Sequence, residues 1–81
     1  MEGDALYNLA RYEEAVTAYD QVTQTKPDDA YAYRWKGAAL SQLKRYEEAI
    51  TAFDQAIQID PSYRDAYSGK ANAITALKKM K

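Results

Sequence analysis

At 81 residues the chain has room for one hydrophobic core and no second. With 47% apolar and 28% charged residues it can offset its ordering entropy, which excludes a disordered segment. A net charge of −1 supplies no field to attract nucleic acid or an anionic membrane, so neither partner is expected. The absence of cysteine and histidine removes the thiolate nucleophile, the disulfide framework and the imidazole base or ligand; no enzyme activity, metal or cofactor is expected.

No apolar run approaches the ~20 residues a membrane span needs. The opening M-E-G-D-A-L-Y-N carries acid where a signal peptide carries base. The expectation is a soluble chain in the cytoplasm. A first helix is predicted over Glu2–Ala10, where Ala5, Leu6 and Leu9 fall at helical spacing. So short a helix holds only by packing on the rest of the chain. Arg11 and Tyr12 form a tight turn into a second helix, whose first turn carries Glu13 and Glu14 at the positive end of the helix dipole. Ala15, Val16, Tyr19 and Val22 make its apolar stripe. Thr25-Lys26-Pro27 ends it, because proline has no N–H to donate.

Asp28 or Asp29 can cap the third helix, which runs to about Leu43 and is predicted to bury Tyr33, Gly37, Leu40 and Leu43. The fourth, from about Glu47 to Ile59, turns Ala49, Ile50, Phe53, Ala56 and Ile57 inward and stops at Asp60-Pro61. Ser62 with Asp65 three residues on reads as a capping box. It would start a last helix, about Tyr63 to Lys79, predicted to bury Ala66, Tyr67, Ala71, Ile74 and Leu77.

One stretch occurs twice. Residues 11–21 read R-Y-E-E-A-V-T-A-Y-D-Q and residues 45–55 read R-Y-E-E-A-I-T-A-F-D-Q, an offset of 34. The offset also pairs Gly3 with Gly37, Leu6 with Leu40 and Pro27 with Pro61; further on it pairs Tyr33 with Tyr67, Lys36 with Lys70 and Leu43 with Leu77. Ten identities in the sixteen residues from Tyr12 to Pro27 rule out chance likeness of two amphipathic helices. A fixed period through the whole chain marks a repeat array in which each unit packs on its neighbours.

On these residues the chain resembles the tetratricopeptide repeat family, whose 34-residue unit is an antiparallel pair of helices, A and B. Gly3, Gly37 and Ala71 stand at the family's small position, Leu6, Leu40 and Ile74 one turn later, and Tyr12 and Tyr46 at its turn aromatic. Ala15–Tyr19–Val22 and Ala49–Phe53–Ala56 match the B-helix series, with Val22 larger than the usual alanine. Lys36 and Lys70 depart from the family's more common leucine. Repeats of the form Y-x-x-K-G/A-x-A-L followed by R-Y-E-E-A resemble those of prokaryotic, notably archaeal, arrays. The resemblance implies an all-α fold, an α–α superhelix of five helices in a single domain 1–81. Residues 1–29 would be a truncated first repeat, 30–63 a complete one and 64–81 a C-terminal A-type or capping helix.

The resemblance also implies a non-catalytic scaffold that binds a protein or peptide in the concave groove of its A helices. Carried over by position, the groove residues are Asp4, Tyr7 and Asn8; then Tyr31, Arg34, Trp35, Ala38, Ser41 and Gln42; then Asp65, Ser68, Gly69, Asn72 and Thr75. Tyrosines, a tryptophan and an arginine are the residue types enriched in binding hot spots. The plainer alternative is that these are the solvated faces of a small helical stack. Trp35 follows Tyr31 by four positions, so the two rings share a helical face. They would form a stacked anchor facing the groove, or Trp35 would instead contact Tyr7 or Asn72. The family's carboxylate clamp is not reproduced: Arg34 fills one basic slot, but Ala38 replaces the matching Asn and Gly69 the Arg. Chaperone tails of the kind such clamps grip are therefore not expected. The alternative function is a structural segment that self-associates through its open repeat ends. The pairs Glu13-Glu14 and Glu47-Glu48 are not catalytic carboxylates, since adjacent helix residues point about 100° apart.

Overall fold

The helices begin and end where the sequence supplies breakers and caps. The computed structural model, which describes residues 2–80, is built from α1 (Glu2–Asn8), α2 (Tyr12–Thr25), α3 (Ala30–Gln42), α4 (Tyr46–Ile59) and α5 (Arg64–Met80). Among the described residues there is no strand. Each helix packs on the next, and α5 also reaches α3, giving an α–α superhelix.

The turns between α1 and α2 and between α3 and α4 are built alike. Ala10 (φ 60°) and Lys44 (φ 62°) sit in the left-handed region. The Arg11 N–H donates to the Leu6 carbonyl and the Arg45 N–H to the Leu40 carbonyl, each at 2.9 Å. Ala10 and Lys44 donate to Tyr7 and Ser41 at 2.9 and 3.0 Å. Each turn is thus a Schellman motif, which satisfies carbonyls the helix end would leave orphaned. For this reason α1 stops at Asn8 rather than the predicted Ala10, and Leu9 is left 67% exposed.

The next residue of the repeated motif clamps the start of the following helix. Arg11 holds Glu14 through two hydrogen bonds, 2.7 and 2.8 Å, and Arg45 holds Glu48 in the same bidentate way. The Arg45 guanidinium lowers the Glu48 carboxyl below its ordinary range. Asp29 caps α3, accepting from the Ala32 N–H at 3.2 Å. Ser62 does not cap α5. Its N–H and hydroxyl both donate to Asp60, at 3.1 and 2.7 Å, closing a turn ahead of the helix, so the predicted capping box does not form.

Tyr19, Phe53 and Leu40 are the largest fully buried side chains, among small residues that include Ala15, Ala49 and Ala56. A Cβ placed on Gly37 would lie 2.8 Å from the Phe53 ring, and one on Gly69 would lie closer still. Gly3 stands in the same way 2.7 Å from Tyr19. The helices approach because these positions carry no side chain, and the ring of the neighbouring helix fills the space. Lys36 and Lys70, in the place of the family's leucine, bridge to Asp20 (2.7 Å) and Asp54 (2.6 Å) on the preceding B helix. The Asp of the repeated D-Q therefore has a partner one helix on.

Two residues predicted to be buried on α5 are not. Tyr67 is 47% exposed, its hydroxyl donating to the Pro61 carbonyl at 2.8 Å, and Ala71 is exposed. Ala66 and Ala73 face the core, with Ile74 and Leu77 half-buried. Gly37, the counterpart of Ala71, is covered by the Phe53 ring of α4, and Tyr33, the counterpart of Tyr67, is half-buried; among the described residues nothing covers Tyr67 and Ala71 to the same extent.

Candidate functional site

The A helices α1, α3 and α5 bring three sets of predicted groove residues to one cavity of about 300 Å³. Tyr7 of α1 closes one side. Arg34, Ala38, Ser41 and Gln42 of α3 form the wall, and Asp65, Ser68, Gly69 and Asn72 of α5 face them. These residues fall at i, i+4, i+7 and i+8 along α3 and at i, i+3, i+4 and i+7 along α5, which keeps each set on one helical face. The floor holds a residue absent from the predicted set, the core ring of Phe53, reached over the bare backbone of Gly69. Its sequence signal is a glycine in the middle of a helix that neither caps nor turns.

Electrostatics within the cavity are already balanced. The Arg34 guanidinium lies 4.0 Å from the centre of the Trp35 ring and 3.9 Å from an Asp65 carboxylate oxygen. Its side chain is 22% exposed, against 66% for Asp65. The single wall cation therefore meets a ring face and a carboxylate before it meets any ligand. Ser41, Ser68 and Asn72 supply neutral hydrogen-bonding groups around it.

The remaining predicted residues hold the scaffold or lie at its margin. Asp4 accepts from the Tyr19 hydroxyl at 2.5 Å and from the Tyr31 hydroxyl at 3.1 Å, so both carboxylate oxygens are engaged. Burial first, and the Asp4 carboxylate second, raise both tyrosine hydroxyls above their ordinary range. Trp35 meets Tyr7 edge-on at 5.1 Å, and Tyr31 lies tilted at 6.1 Å rather than stacked. The contact with Tyr7 is the one that forms. Tyr12 extends the cluster, 5.2 Å from Tyr7. The Trp35 indole N–H, beside the Tyr31 hydroxyl, meets no acceptor in hydrogen-bond geometry. Asn8 is exposed at the end of α1, and the Thr75 hydroxyl donates to the Ala71 carbonyl at 3.0 Å.

A larger cavity, about 420 Å³, opens beside Gly3 and is lined by α2 from Ala18 to Thr25 with Lys26 and Asp29. Of the matching positions of α4, Ala52 and Ala56 are buried and Gln55 and Ile59 are exposed. The cavity draws none of the predicted groove residues to it. Among the described residues no group of three or more Asp or Glu is placed to hold a metal ion, and no helix is long and apolar enough to cross a membrane.

No curated protein matches the chain. Solved structures do. The TPR2AB domain of yeast Sti1 in a complex with pHSP90 superposes with a TM-score of 0.94 at 36% identity, over 96% of this chain and 30% of that one. The TPR2B domain of yeast Sti1 in a complex with pHsp70 gives 0.93 at 36% identity, over 96% of this chain and 62% of that one. This chain thus spans less than two thirds of either. The sequence model described as Tetratricopeptide repeat matches residues 1–64. With that match over most of its length, and the helix pairs, small-residue crossings and buried aromatics described above, the chain belongs to the tetratricopeptide repeat family.

Proposed function

We propose that the chain is a non-catalytic interaction module that holds an extended peptide segment of a protein partner in the cavity between α3 and α5. The observation that carries this reading is the convergence of Tyr7, Arg34, Ser41, Ser68 and Asn72 from three A helices on one cavity of about 300 Å³. The likeness to two yeast domains solved in complexes with pHSP90 and pHsp70 supports a protein partner. The division into a truncated repeat 1–29, a complete repeat 30–63 and a final A-type helix 64–81 belongs to the proposal, as does a cytoplasmic location. So does an origin among prokaryotic, notably archaeal, arrays, which rests on the Y-x-x-K-G/A-x-A-L pattern followed by R-Y-E-E-A; the superposed structures are of a yeast protein.

The ligand chemistry is set by the balance at Arg34. With Asp65 3.9 Å from the only wall cation, a second carboxylate gains little there. The ligand is held by its backbone and neutral side chains, not by a terminal carboxylate. The test is a heteronuclear NMR titration of the chain with a peptide library, each ligand made with a free and an amidated C-terminus. Binders are expected to shift the amides of Arg34, Ser68 and Asn72, with amidation changing affinity by less than about threefold, under 1 kcal/mol. Asn72→Arg, at an exposed position, should abolish binding while leaving the melt unchanged. Shifts that bypass the cavity, or full binding by the Asn72 variant, would sink the reading.

A further inference from the structure

The 34-residue period relates the space between α1 and α3 to the one between α3 and α5, so the two can be compared position by position. In the first, aromatic rings make the contact. Tyr7 of α1 meets Trp35 of α3 edge-on at 5.1 Å, and the Arg34 guanidinium lies 4.0 Å from the centre of the Trp35 ring. In the second, the counterparts of Tyr7 and Trp35 are Ser41 and Gly69. Both rings are missing, and the cavity of about 300 Å³ lies there, with α3 and α5 as its walls and Phe53 of α4 at its floor.

The other differences leave this space neutral. Asp4, which accepts from the Tyr19 and Tyr31 hydroxyls, is replaced by Ala38, and Tyr19 by Phe53, a ring with no hydroxyl to satisfy. The Phe53 ring lies against the bare backbone of Gly69. Arg34 lines the cavity while its charge is already met by Asp65 at 3.9 Å. A charged ligand group would have to compete with that pair, whereas the quadrupole of a neutral ring is attracted to the cation and leaves the pair intact. Ser41, Ser68 and Asn72 offer donors and acceptors to the polar tip of a tryptophan or tyrosine. An aliphatic side chain uses neither the cation nor these groups.

We infer that the cavity takes a neutral aromatic side chain with a polar tip, a tryptophan or tyrosine of the ligand, seated between α3 and α5 as Trp35 is seated between α1 and α3. The inference rests on the reading of this cavity as a peptide site and names the residue that anchors the peptide. The ligand ring supplies the contact that Ser41 and Gly69 leave unmade.

The probes are the tripeptides Gly-Trp-Gly, Gly-Tyr-Gly and Gly-Leu-Gly, acetylated and amidated at their ends and titrated into the full chain by NMR. The tryptophan and tyrosine peptides are expected to give saturable shifts at the amides of Ser41, Ser68, Gly69 and Asn72, and to bind at least about fivefold tighter than the leucine peptide. Ser68→Trp, at an exposed position of the wall, should fill the cavity and abolish binding with no change in thermal melt. Ser41→Tyr, which restores the ring that Tyr7 supplies one unit earlier, should have the same effect on binding. The inference is overturned by equal affinity for the leucine peptide, by shifts that bypass the cavity, or by full binding to both variants. Peptides from the larger library that bind in the cavity with no aromatic residue overturn it while the peptide reading stands. Cavity binding by the tryptophan tripeptide when no library peptide reaches the cavity supports the ring site and sinks the wider peptide reading alone.

Discussion

Lys44 holds a left-handed conformation that only glycine adopts without steric cost, and it does so on the surface. A β-carbon there costs about 1–2 kcal/mol, offset in part by the extra freedom glycine has when unfolded. Lys44→Gly is therefore expected to stabilise the fold by about 1 kcal/mol, raising the melting temperature by roughly 4–8 °C for a domain of this size. Thermal melts of the two chains check this, and an unchanged or lowered midpoint contradicts it. Gly69 is the opposite case. A β-carbon there would press into the buried Phe53 ring, so Gly69→Ala should cost about 1–3 kcal/mol as overpacking. That is more than Gly37→Ala, where the ring is farther off, at 2.8 Å. Denaturant midpoints falling in the reverse order would show that Phe53 moves freely between the two. The contrast explains what is legible at this scale. The period exposes Gly37 as a crossing point because Gly3 matches it, whereas Gly69 pairs with Trp35 and so has no repeat to announce it. Ala10 and Lys44 are silent because neither is the residue type their backbone favours.

Among the elements, α1 is the most dependent on its neighbours. Seven residues cannot hold a helix in water, and its ties are the Gly3–Tyr19 approach and the two tyrosine hydroxyls on Asp4. Asp4→Ala leaves the buried Tyr19 hydroxyl without its acceptor, a loss of about 1.5–3 kcal/mol for a bond to a charged group. Hydrogen exchange should rise first along α1. The same contact makes stability fall in alkali. Burial and Asp4 hold the Tyr19 hydroxyl neutral far above its usual 10.0, while in the unfolded chain it ionises near that value. The stabilisation is therefore complete below about pH 10 and declines as pH rises beyond it. Tyr19→Phe should flatten that decline, and an unaltered alkaline slope would mean the hydroxyl is not protected. Sequence periodicity locates all five helices, because each carries an apolar stripe bounded by proline or a polar turn. It misplaces Tyr67 and Ala71 because a repeat pattern records the face a helix can bury, not whether a partner covers it. Position alone puts Asp4 in the groove; only the fold reveals the tyrosines from two other helices that use it.

At the level of the whole molecule, Phe53 joins three helices, lying on α4 between Gly37 of α3 and Gly69 of α5. The exposed ion pairs contribute little beside it. Lys36–Asp20 and Lys70–Asp54 are both partly solvated and each is worth about 0–1 kcal/mol. Truncating a buried phenylalanine costs about 3–5 kcal/mol, and a domain of this size holds roughly 4–12 kcal/mol in total. A stack of few units has no redundancy, since each helix is stable only while its neighbour is in place. Phe53→Ala is therefore expected to leave the chain largely unfolded at 25 °C, with α5 and the cavity lost together rather than α5 fraying alone. Circular dichroism with NMR of the same sample decides between these. A folded variant that keeps dispersed signals from α1–α3 while losing those of α5 would show that the stack divides into independent parts. In that case the peptide cavity, whose floor is Phe53 and whose far wall is α5, would be a feature of one conformation and not of the fold.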